Sequence, residues 1–494
     1  MPPRDATGAI VQLDAPKAQK GSLVDIFSKL PEDHTTEQSK WETYSQISTQ
    51  TDPITIVVNR TRDWIDPQKF LLEFQVDYLR NNGTDPLQPG DKAFPVNNTG
   101  HSLIKQMKVY INKSSVQNND EYYHYQAYFD RLLNYSKADK DGWLSFEGWA
   151  TDTPGKFNDV NPTQAEIPAI QAEGGGVQAN SYTPGHLMNW IRAAFDRAVP
   201  NEGATKRHKL ITQQDANNRQ MPTTYFIRPY VPLFNSYRYL PPGLEIKFEI
   251  YWNTSRSAMM ADQAHNADAD SPKFRVVNYS PRLWVRHVVA ESDLHIALEG
   301  AMLNKHQVAL YPHLASRVIT DTIPDGMRER RLTDIWNGKR PSYMIVGFLP
   351  QAAFIGSYTE NGYNFRDMHQ TSVKVLVNGQ ETPYQRIDLR SFHKDQGYNT
   401  WVQFSGQSYD SPDVGTNRTD YKDGNYLLLF NFTPDGNQNF NYNYNRLLGN
   451  INLEVEFGQA TANNTTILIV GYFEQTGLVE GNKNFGLEHS FSYS

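Results

Sequence analysis

Short runs in which apolar and polar residues alternate recur along the chain and predict β-strands. In Lys108–Lys113, Val109 and Ile111 point to one side of the run and the polar residues point to the other. A longer run, Lys69–Leu79, places an apolar residue at every second position. This period of two is typical of strands with one buried face, so the pattern predicts an all-β protein.

The same strand patterns occur twice, in the same order. Lys374–Gln380 repeats the pattern of Lys108–Lys113 and carries Asn378-Gly379, a strong hairpin-turn signal. Two further pairs of segments resemble each other: Leu244–Ile250 with Ile451–Phe457, and Arg282–His287 with Thr466–Gly471. Three repeats in one order predict a β domain that is used twice.

Helical spacing of apolar residues is confined to short stretches. Glu121–Ser136 has apolar residues at helical intervals, as does Leu187–Ala198, and His295–Leu303 shows the spacing weakly. In the second half, the short apolar stretch Trp401–Phe404 fits the series of strands. We therefore expect short helices between strands.

The first residues of the chain predict an arm with one short amphipathic helix. Ser22 is a suitable N-cap for Leu23–Leu30, and Pro31 ends the segment. The apolar residues on one face of this segment are our candidate assembly residues: Leu23, Ile26, Phe27 and Leu30. Such a face can dock on a partner or a membrane surface, or pack on its own domain, and the pattern leaves these alternatives open.

These patterns divide the chain into four parts. Residues 1–40 form the arm, 41–292 the first β domain, 293–340 a crossover linker and 341–494 the second β domain. The first β domain contains a strand-poor insertion at about 150–222, rich in Gly, Gln, Asn and Pro. Loops of this length are functional or disordered more often than simple connectors.

Composition excludes several classes of function. The 494 residues suffice for two or three cores, and the formal charge of −7 argues against a surface that neutralises nucleic acid. The chain has no cysteine, which excludes a disulfide framework and a cysteine nucleophile. It also shows no secretory signal and no run of eighteen apolar residues, so we expect assembly in the cell interior.

No motif points to a catalytic, cofactor-binding or metal site, so we expect no enzyme activity. The 13 histidines lack metal-ligand spacing and are expected on surfaces or loops. His265–Asp270 is interpreted as a solvated acidic loop rather than a calcium loop, and Lys206–Lys209 as a solvated basic loop. The carboxylate pairs Glu454/Glu456 and Glu245/Glu249 lie on strand faces that alternation turns outward.

Several stretches spread along nearly the whole chain resemble one family. They are Gly21–Pro31, Tyr123–Ser136, Gly142–Trp149, Ile323–Gly326, Ile335–Pro341, Ile345–Tyr358, Gly424–Pro434 and Gly449–Phe457. In these stretches the chain resembles the double jelly-roll major capsid proteins of the Polinton/Maverick and adintovirus type, relatives of adenovirus hexons. The resemblance implies two eight-stranded jelly rolls in tandem, with short helices and long loop insertions.

The resemblance also implies the function and the partners. Such proteins form homotrimers whose six jelly rolls make a pseudo-hexagonal capsomer that tiles an icosahedral shell. The partners would be neighbouring capsomers, a single jelly-roll penton protein and minor capsid proteins. The protein would reside in the virion capsid after assembly in the host nucleus or cytoplasm, without a cofactor and without sequence-specific nucleic-acid binding.

Aromatic residues bear on both this interpretation and its rival. The chain has 28 Tyr and 9 Trp, and trimer contacts through exposed loop aromatics would account for the surplus. The alternative is a β-sandwich carbohydrate-binding protein or glycosidase, in which Trp and Tyr form a platform for a sugar.

Overall fold

The computed structural model describes most of both predicted β domains. It covers residues 35–47, 52–118, 121–160, 201–216, 219–262, 272–277, 281–404, 415–434 and 448–489. The predicted arm helix at Leu23–Leu30, the predicted helix Leu187–Ala198 and the segment His265–Asp270 lie outside these ranges.

The first half is built mainly of strands, with short helices between them. Its strands are β1 (Thr36–Ser45), β2 (Ile54–Val58), β3 (Trp64–Leu79), β4 (Ala93–Pro95), β5 (Ile104–Ile111), β6 (Ser114–Asn118), β7 (Thr223–Ile227), β8 (Ile246–Trp252), β9 (Met259–Ala261), β10 (Lys273–Val276) and β11 (Arg282–Ala290). Its helices are α1 (Thr99–Ser102), α2 (Tyr123–Asn134), α3 (Lys137–Asp141), α4 (Glu202–Ile211) and α5 (Ser255–Ala258).

The second half repeats this composition. After α6 (Ser292–Asn304) come the strands β12 (Ala309–Ile323), β13 (Glu329–Leu332), β14 (Tyr343–Pro350), β15 (Phe365–Arg366), β16 (Gln370–Val377), β17 (Gln380–Glu381), β18 (Ile387–Asp388), β19 (Asp423–Gly424), β20 (Leu427–Asn431), β21 (Ile451–Phe457), β22 (Thr465–Val479) and β23 (Phe485–His489). Two helices lie between them, α7 (Gln351–Ile355) and α8 (Asp395–Phe404).

Strand order is the same in the two halves. In the first half one sheet runs β1-β11-β3-β7 and the other β2-β8-β5-β6. In the second half the corresponding sheets run β12-β22-β14-β20 and β13-β21-β16-β17. Each half therefore contains the same set of eight antiparallel strands in two sheets, the arrangement of a jelly roll, and the predicted duplication is confirmed. Strands β10, β18 and β23 are additional to this set and pair with β3, β16 and β22.

The repeated hairpins match in detail. In the first, Asn112 and Lys113 both have positive φ (47° and 75°), and in the second Asn378 and Gly379 do (52° and 83°). Two successive positive φ values fit a type I′ turn, whose twist suits a two-residue hairpin. The pairing with the next strand is also the same, since Ile111 faces Ile246 and Val377 faces Ile451.

Alternating apolar residues hold the two sheets of each jelly roll together. Phe70 of β3 packs on Phe248 of β8 with ring centroids 5.8 Å apart, and Phe74 packs on Trp252 at 5.3 Å. The apolar residues of β21 are buried at every second position, as the sequence predicts. Burial of this apolar surface is the main stabilising contribution.

The structure corrects the predicted linker at 293–340. This interval begins with α6, but Ala309–Ile323 is strand β12, which pairs with β22 along its whole length. Glu329–Leu332 is strand β13 and pairs with β21. The second jelly roll therefore starts near residue 309. The strand pattern of β12 is weak because most of its residues are only partly buried at the edge of the sheet.

The predicted strand Trp401–Phe404 is wrong, because these residues form the last turn of α8. The buried residues of this helix are Gly397, Thr400, Trp401 and Phe404. Their spacing of i, i+3, i+4 and i+7 is that of a helix face. The four residues Trp401–Phe404 are too few to show this helical period by themselves.

Candidate assembly surfaces

Helix α2 belongs to the first half of the chain but packs into the core of the second jelly roll. Its Tyr128 stacks on Tyr363 with ring centroids 4.2 Å apart, and Phe129 lies 5.2 Å from Phe365. Tyr125 contacts Tyr363 edge-on at 5.8 Å. Aromatic pairs in these geometries stabilise an interface beyond the area they bury, so α2 fixes one jelly roll against the other.

The C-terminal strands connect the jelly rolls in the opposite direction. The end of β22 and the start of β23 contribute Val479 and Phe485 to the core of the first jelly roll. Nearby, the Asn112 side chain donates a hydrogen bond to the Lys483 carbonyl, and the Ser114 hydroxyl donates one to the Phe485 carbonyl at 2.8 Å. Each half therefore contributes side chains to the core of the other, and the two jelly rolls share a packed junction.

Of the 22 tyrosines in the described ranges 12 are core residues, so loop contacts alone do not account for the number of tyrosines. Those with buried side chains are Tyr78, Tyr123, Tyr125, Tyr128, Tyr225, Tyr230, Tyr311, Tyr343, Tyr358, Tyr363, Tyr421 and Tyr426. A buried tyrosine fills a large volume and retains a hydroxyl for a hydrogen bond, as between Tyr78 and Tyr225 at 2.8 Å.

A fully buried polar cluster anchors α2. Glu147 accepts two hydrogen bonds from Arg131 of α2, at 2.7 and 3.1 Å, and one from the backbone N–H of Arg228 at 2.8 Å. His101 Nε2 lies 3.2 Å from the same carboxylate, and its Nδ1 lies 3.0 Å from the Tyr123 hydroxyl. The cluster therefore ties α2 to α1, to β7 and to the turn around Glu147.

The pKa values in this cluster follow from burial and charge. Burial alone would raise the pKa of the Glu147 carboxyl, but Arg131 and His101 hold it well below its ordinary value. Burial lowers the pKa of His101, against the opposing effect of Glu147. The cluster therefore holds an ionised Glu147–Arg131 pair beside a neutral imidazole. It contains no nucleophile and is not open to a substrate.

Other basic residues correct the sequence interpretation as well. Lys206–Lys209 lies within α4 rather than in a solvated loop, and Arg207 and His208 are buried. Arg207 pairs with Asp152 and donates a hydrogen bond to the Pro95 carbonyl. His101 and His208 are likewise buried rather than on the surface. Hydrogen bonds inside the protein satisfy their ring nitrogens.

Three of the four carboxylates considered for glycosidase chemistry form ion pairs: Glu249 with Lys247, and Glu454 and Glu456 with cations on the second jelly roll. Glu454 lies 3.2 Å from Arg331 and 3.5 Å from Lys374, and Glu456 pairs with Arg386. In the described ranges no group of three or more His, Asp or Glu is arranged to hold a metal ion, and no helix is long and apolar enough to span a membrane.

An open groove beside α7 bears on the sugar-binding alternative. Its lining comes from α7, from the segment 360–369 and from the loop before β22, and includes Arg366, His369 and Asn463. None of the lining residues is Trp, Tyr or Phe. The groove therefore lacks the aromatic platform that the carbohydrate-binding alternative requires.

Exposed apolar residues are the remaining candidates for contact with partners. One group lies on and after α6: Ile296, Leu298, Leu303, Val308 and Leu310. A second group adjoins it, because Arg238, between the exposed Tyr237 and Tyr239, donates a hydrogen bond to the Leu310 carbonyl at 2.7 Å. Neighbouring exposed apolar residues of this kind are typical of protein contact sites.

The fold is similar to solved structures of viral particles. It matches a chain of the Sputnik virophage with a TM-score of 0.60 and 11% identity, over 98% of this chain and 95% of that one. It also matches the mavirus major capsid protein, with a TM-score of 0.52 and 11% identity over 100% of this chain and 97% of that protein. The fold is a double jelly roll.

Two further comparisons complete this picture. The double jelly roll also matches a chain of the PBCV-1 virus capsid, with a TM-score of 0.53 and 10% identity over 94% of this chain and 99% of that one. In sequence, an uncharacterized protein of Caenorhabditis elegans is 22% identical over 357 residues, which are 70% of this chain and 71% of that protein. No protein-family model matches the chain.

Proposed function

We propose that this chain is a viral major capsid protein that forms homotrimeric capsomers and has no enzyme activity. The observation that carries the proposal is the equivalence of the two jelly rolls in strand order, turn type and pairing register. Two similar jelly rolls in one chain, repeated around a threefold axis, approximate sixfold symmetry. Such a trimer has the outline needed to tile an icosahedral shell.

The packed junction supports this role. The aromatic contacts of α2 with the second jelly roll and the hydrogen bond from Ser114 to the Phe485 carbonyl of β23 hold the two jelly rolls in one relative orientation. A tile in a closed lattice requires a constant angle, because a small error at each unit would accumulate across the shell. A flexible pair of domains would not serve.

For the lineage we propose the Polinton/Maverick and adintovirus type. The support is the set of matching stretches, of which Tyr123–Ser136 and Ile345–Tyr358 are the most specific. A relative in the nematode Caenorhabditis elegans fits a virus-like element carried in animal genomes. The proposed partners are neighbouring capsomers, a single jelly-roll penton protein and minor capsid proteins, and the proposed site of assembly is the host nucleus or cytoplasm.

The candidate assembly residues remain a prediction. Leu23, Ile26, Phe27 and Leu30 lie outside the described ranges, and we propose that their segment takes part in joining capsomers rather than in forming the trimer. Deletion of residues 1–30 should leave the trimer intact and impair particle assembly. If the deletion instead abolishes the trimer, this assignment is wrong.

Light scattering on the purified full chain tests the function. We expect a stable species at three times the chain mass of 56.5 kDa, with no free monomer at micromolar concentration. A monomer that binds oligosaccharides on a glycan array would instead support the carbohydrate-binding alternative. A monomer without ligand would also contradict the capsomer proposal.

A further inference from the structure

Helix α6 presents two neighbouring faces with different roles. One face is fixed to the protein body: His295 Nδ1 accepts a hydrogen bond from Trp64 at 3.2 Å, Glu299 pairs with Lys483 at 2.9 Å, and Met302 is buried. These three residues are spaced i, i+4 and i+7, so they share one side of the helix. That side accounts for the packing of α6.

The next face of α6 is apolar and is exposed among the described residues. Ile296, Gly300 and Leu303 repeat the i, i+4, i+7 spacing one residue further along, about 100° around the helix. The Ile296 side chain is 67% exposed and the Leu303 side chain is 52% exposed. A Cβ on Gly300 between them would meet the Asn304 side-chain amide at 3.8 Å and no closer atom, so the stripe forms a shallow notch between two apolar ridges. Such a notch suits the side chain of an apposed helix.

The first described residue, Thr35, lies beside the N-terminal end of α6. The backbone N–H of Glu291 donates a hydrogen bond to the Thr35 carbonyl at 3.1 Å, and Thr36 pairs with Ala290. Glu291 is also the N-cap of α6, since its carboxylate accepts from the Leu294 N–H. Residues 1–34 must therefore leave the body beside the first turn of α6.

We propose that in the unassembled protein, before the segment joins capsomers, Leu23–Leu30 docks as a helix on the Ile296–Gly300–Leu303 stripe of its own chain, antiparallel to α6. Its sequence predicts an apolar face formed by Leu23, Ile26, Phe27 and Leu30. From Leu23 to Leu30 is seven residues, as from Ile296 to Leu303, so the two faces have the same length of about 10 Å at 1.5 Å per residue. In the antiparallel register Leu23 lies opposite Leu303, Ile26 opposite the notch at Gly300, and Leu30 opposite Ile296.

The connecting residues are long enough for this arrangement. Leu30 would lie beside Ile296, five residues or about 8 Å along the axis from Glu291, and about 8–10 Å from the α6 axis. The resulting distance of roughly 12 Å is less than the reach of about 17 Å for the five steps from Leu30 to Thr35. No rearrangement of the described residues is needed.

Charge favours the antiparallel direction. In that direction Lys29 lies about one turn from Asp293, and Asp25 lies about one turn from Lys305. The docked segment would also cover the apolar residues that α6 otherwise exposes to water.

Disulfide trapping tests the proposal cleanly, because the chain contains no native cysteine. The full chain carrying Leu30→Cys and Ile296→Cys, which the proposed register places side by side, is oxidised with diamide at low protein concentration. We expect an intramolecular disulfide, seen as a shifted monomer band on a non-reducing gel, that forms at least tenfold faster than in a control pair. The control combines Leu30→Cys with Phe392→Cys; Phe392 lies on the second jelly roll and is 75% exposed.

Each other outcome contradicts the proposal. Cross-linked dimers in place of shifted monomers would place the segment on a neighbouring copy, and a rate equal to the control would mean no docking. As a second measurement, Leu303→Asp should increase tryptic cleavage after Lys20 and Lys29 several-fold, whereas Leu298→Asp, on a different face of α6, should not. Both assays use unassembled protein, so their results do not depend on whether the chain builds a shell.

Discussion

Replacement of Glu147 by glutamine should release α2 from the junction between the jelly rolls. Both carboxylate oxygens of Glu147 accept hydrogen bonds from Arg131, at 2.7 and 3.1 Å. A glutamine replaces one of these oxygens with an NH₂ group. In either orientation of the amide, this NH₂ group would face an N–H of Arg131, so two hydrogen-bond donors would oppose each other. The side chains of Glu147 and Arg131 are only 1% and 3% exposed. Water therefore cannot solvate the guanidinium that remains.

The cost follows from this burial. Removing one partner of a buried ion pair destabilises a protein by about 3–5 kcal/mol. Arg131 keeps a second ion pair, with Asp130, so we expect a cost near the lower end of this range. At about 1.4 kcal/mol per factor of ten, the range corresponds to a loss of roughly a hundredfold to a few thousandfold in the equilibrium that keeps α2 closed. Because α2 joins the two cores, the loss should be measurable along the whole helix.

Hydrogen exchange of peptides covering Tyr123–Asn134 measures this opening directly. The matched control is Glu454→Gln, which removes the same charge from an exposed pair with Arg331 and should cost no more than about 1 kcal/mol. If Glu147→Gln lowers protection no more than the control does, the buried pair does not anchor α2. A double replacement of Glu147 and Arg131 by Leu and Met should recover part of the loss.

Three further predictions concern the duplicated hairpins, the sheet packing and the pH response. Lys113 has the positive φ that Gly379 has in the second hairpin, and glycine adopts such a φ at lower cost than lysine. Lys113→Gly should therefore raise the free energy of unfolding by about 1 kcal/mol, and Gly379→Lys should lower it by a similar amount. Urea denaturation measures both changes, and two changes of the same sign would refute the reasoning. Gly347→Ala should cost about 1–3 kcal/mol in the same assay, because a Cβ there would lie 2.6 Å from a ring carbon of Phe365, whereas Gly90→Ala meets no atom and should be nearly neutral. Burial lowers the pKa of His101, so below about pH 6.5 the unfolded chain binds a proton that the native protein does not. The free energy of unfolding should therefore fall as the pH drops. His101→Gln should make the urea midpoint depend less on pH between about pH 7.5 and 5.5, and an unchanged pH dependence would contradict this.

Strand periodicity was sufficient to predict the duplicated fold. The hairpin turns at Asn112 and Asn378 have short, local signals, and their neighbouring strands alternate without interruption. The second half therefore repeats the first at positions that the sequence shows. Resemblance to a known family predicted the same double jelly roll, which the structural comparisons confirm.

The errors arose where distant residues determine the structure. Arg207 belongs to a basic run, but its burial depends on Asp152, 55 residues earlier in the chain. Strand β12 lies at a sheet edge, so its partly buried residues give no clean alternation. The Arg131–Glu147–His101 cluster likewise joins residues from three separate segments, and no spacing in the sequence identifies it.

We propose that two equivalent jelly rolls in one chain build a tile with a sixfold outline. Electron microscopy of the purified full chain in negative stain shows whether such a tile forms. We predict class averages of a single trimeric species with a hexagonal outline, in which six similar densities surround a threefold axis. Averages that show separate monomers, or oligomers without threefold symmetry, would contradict the account.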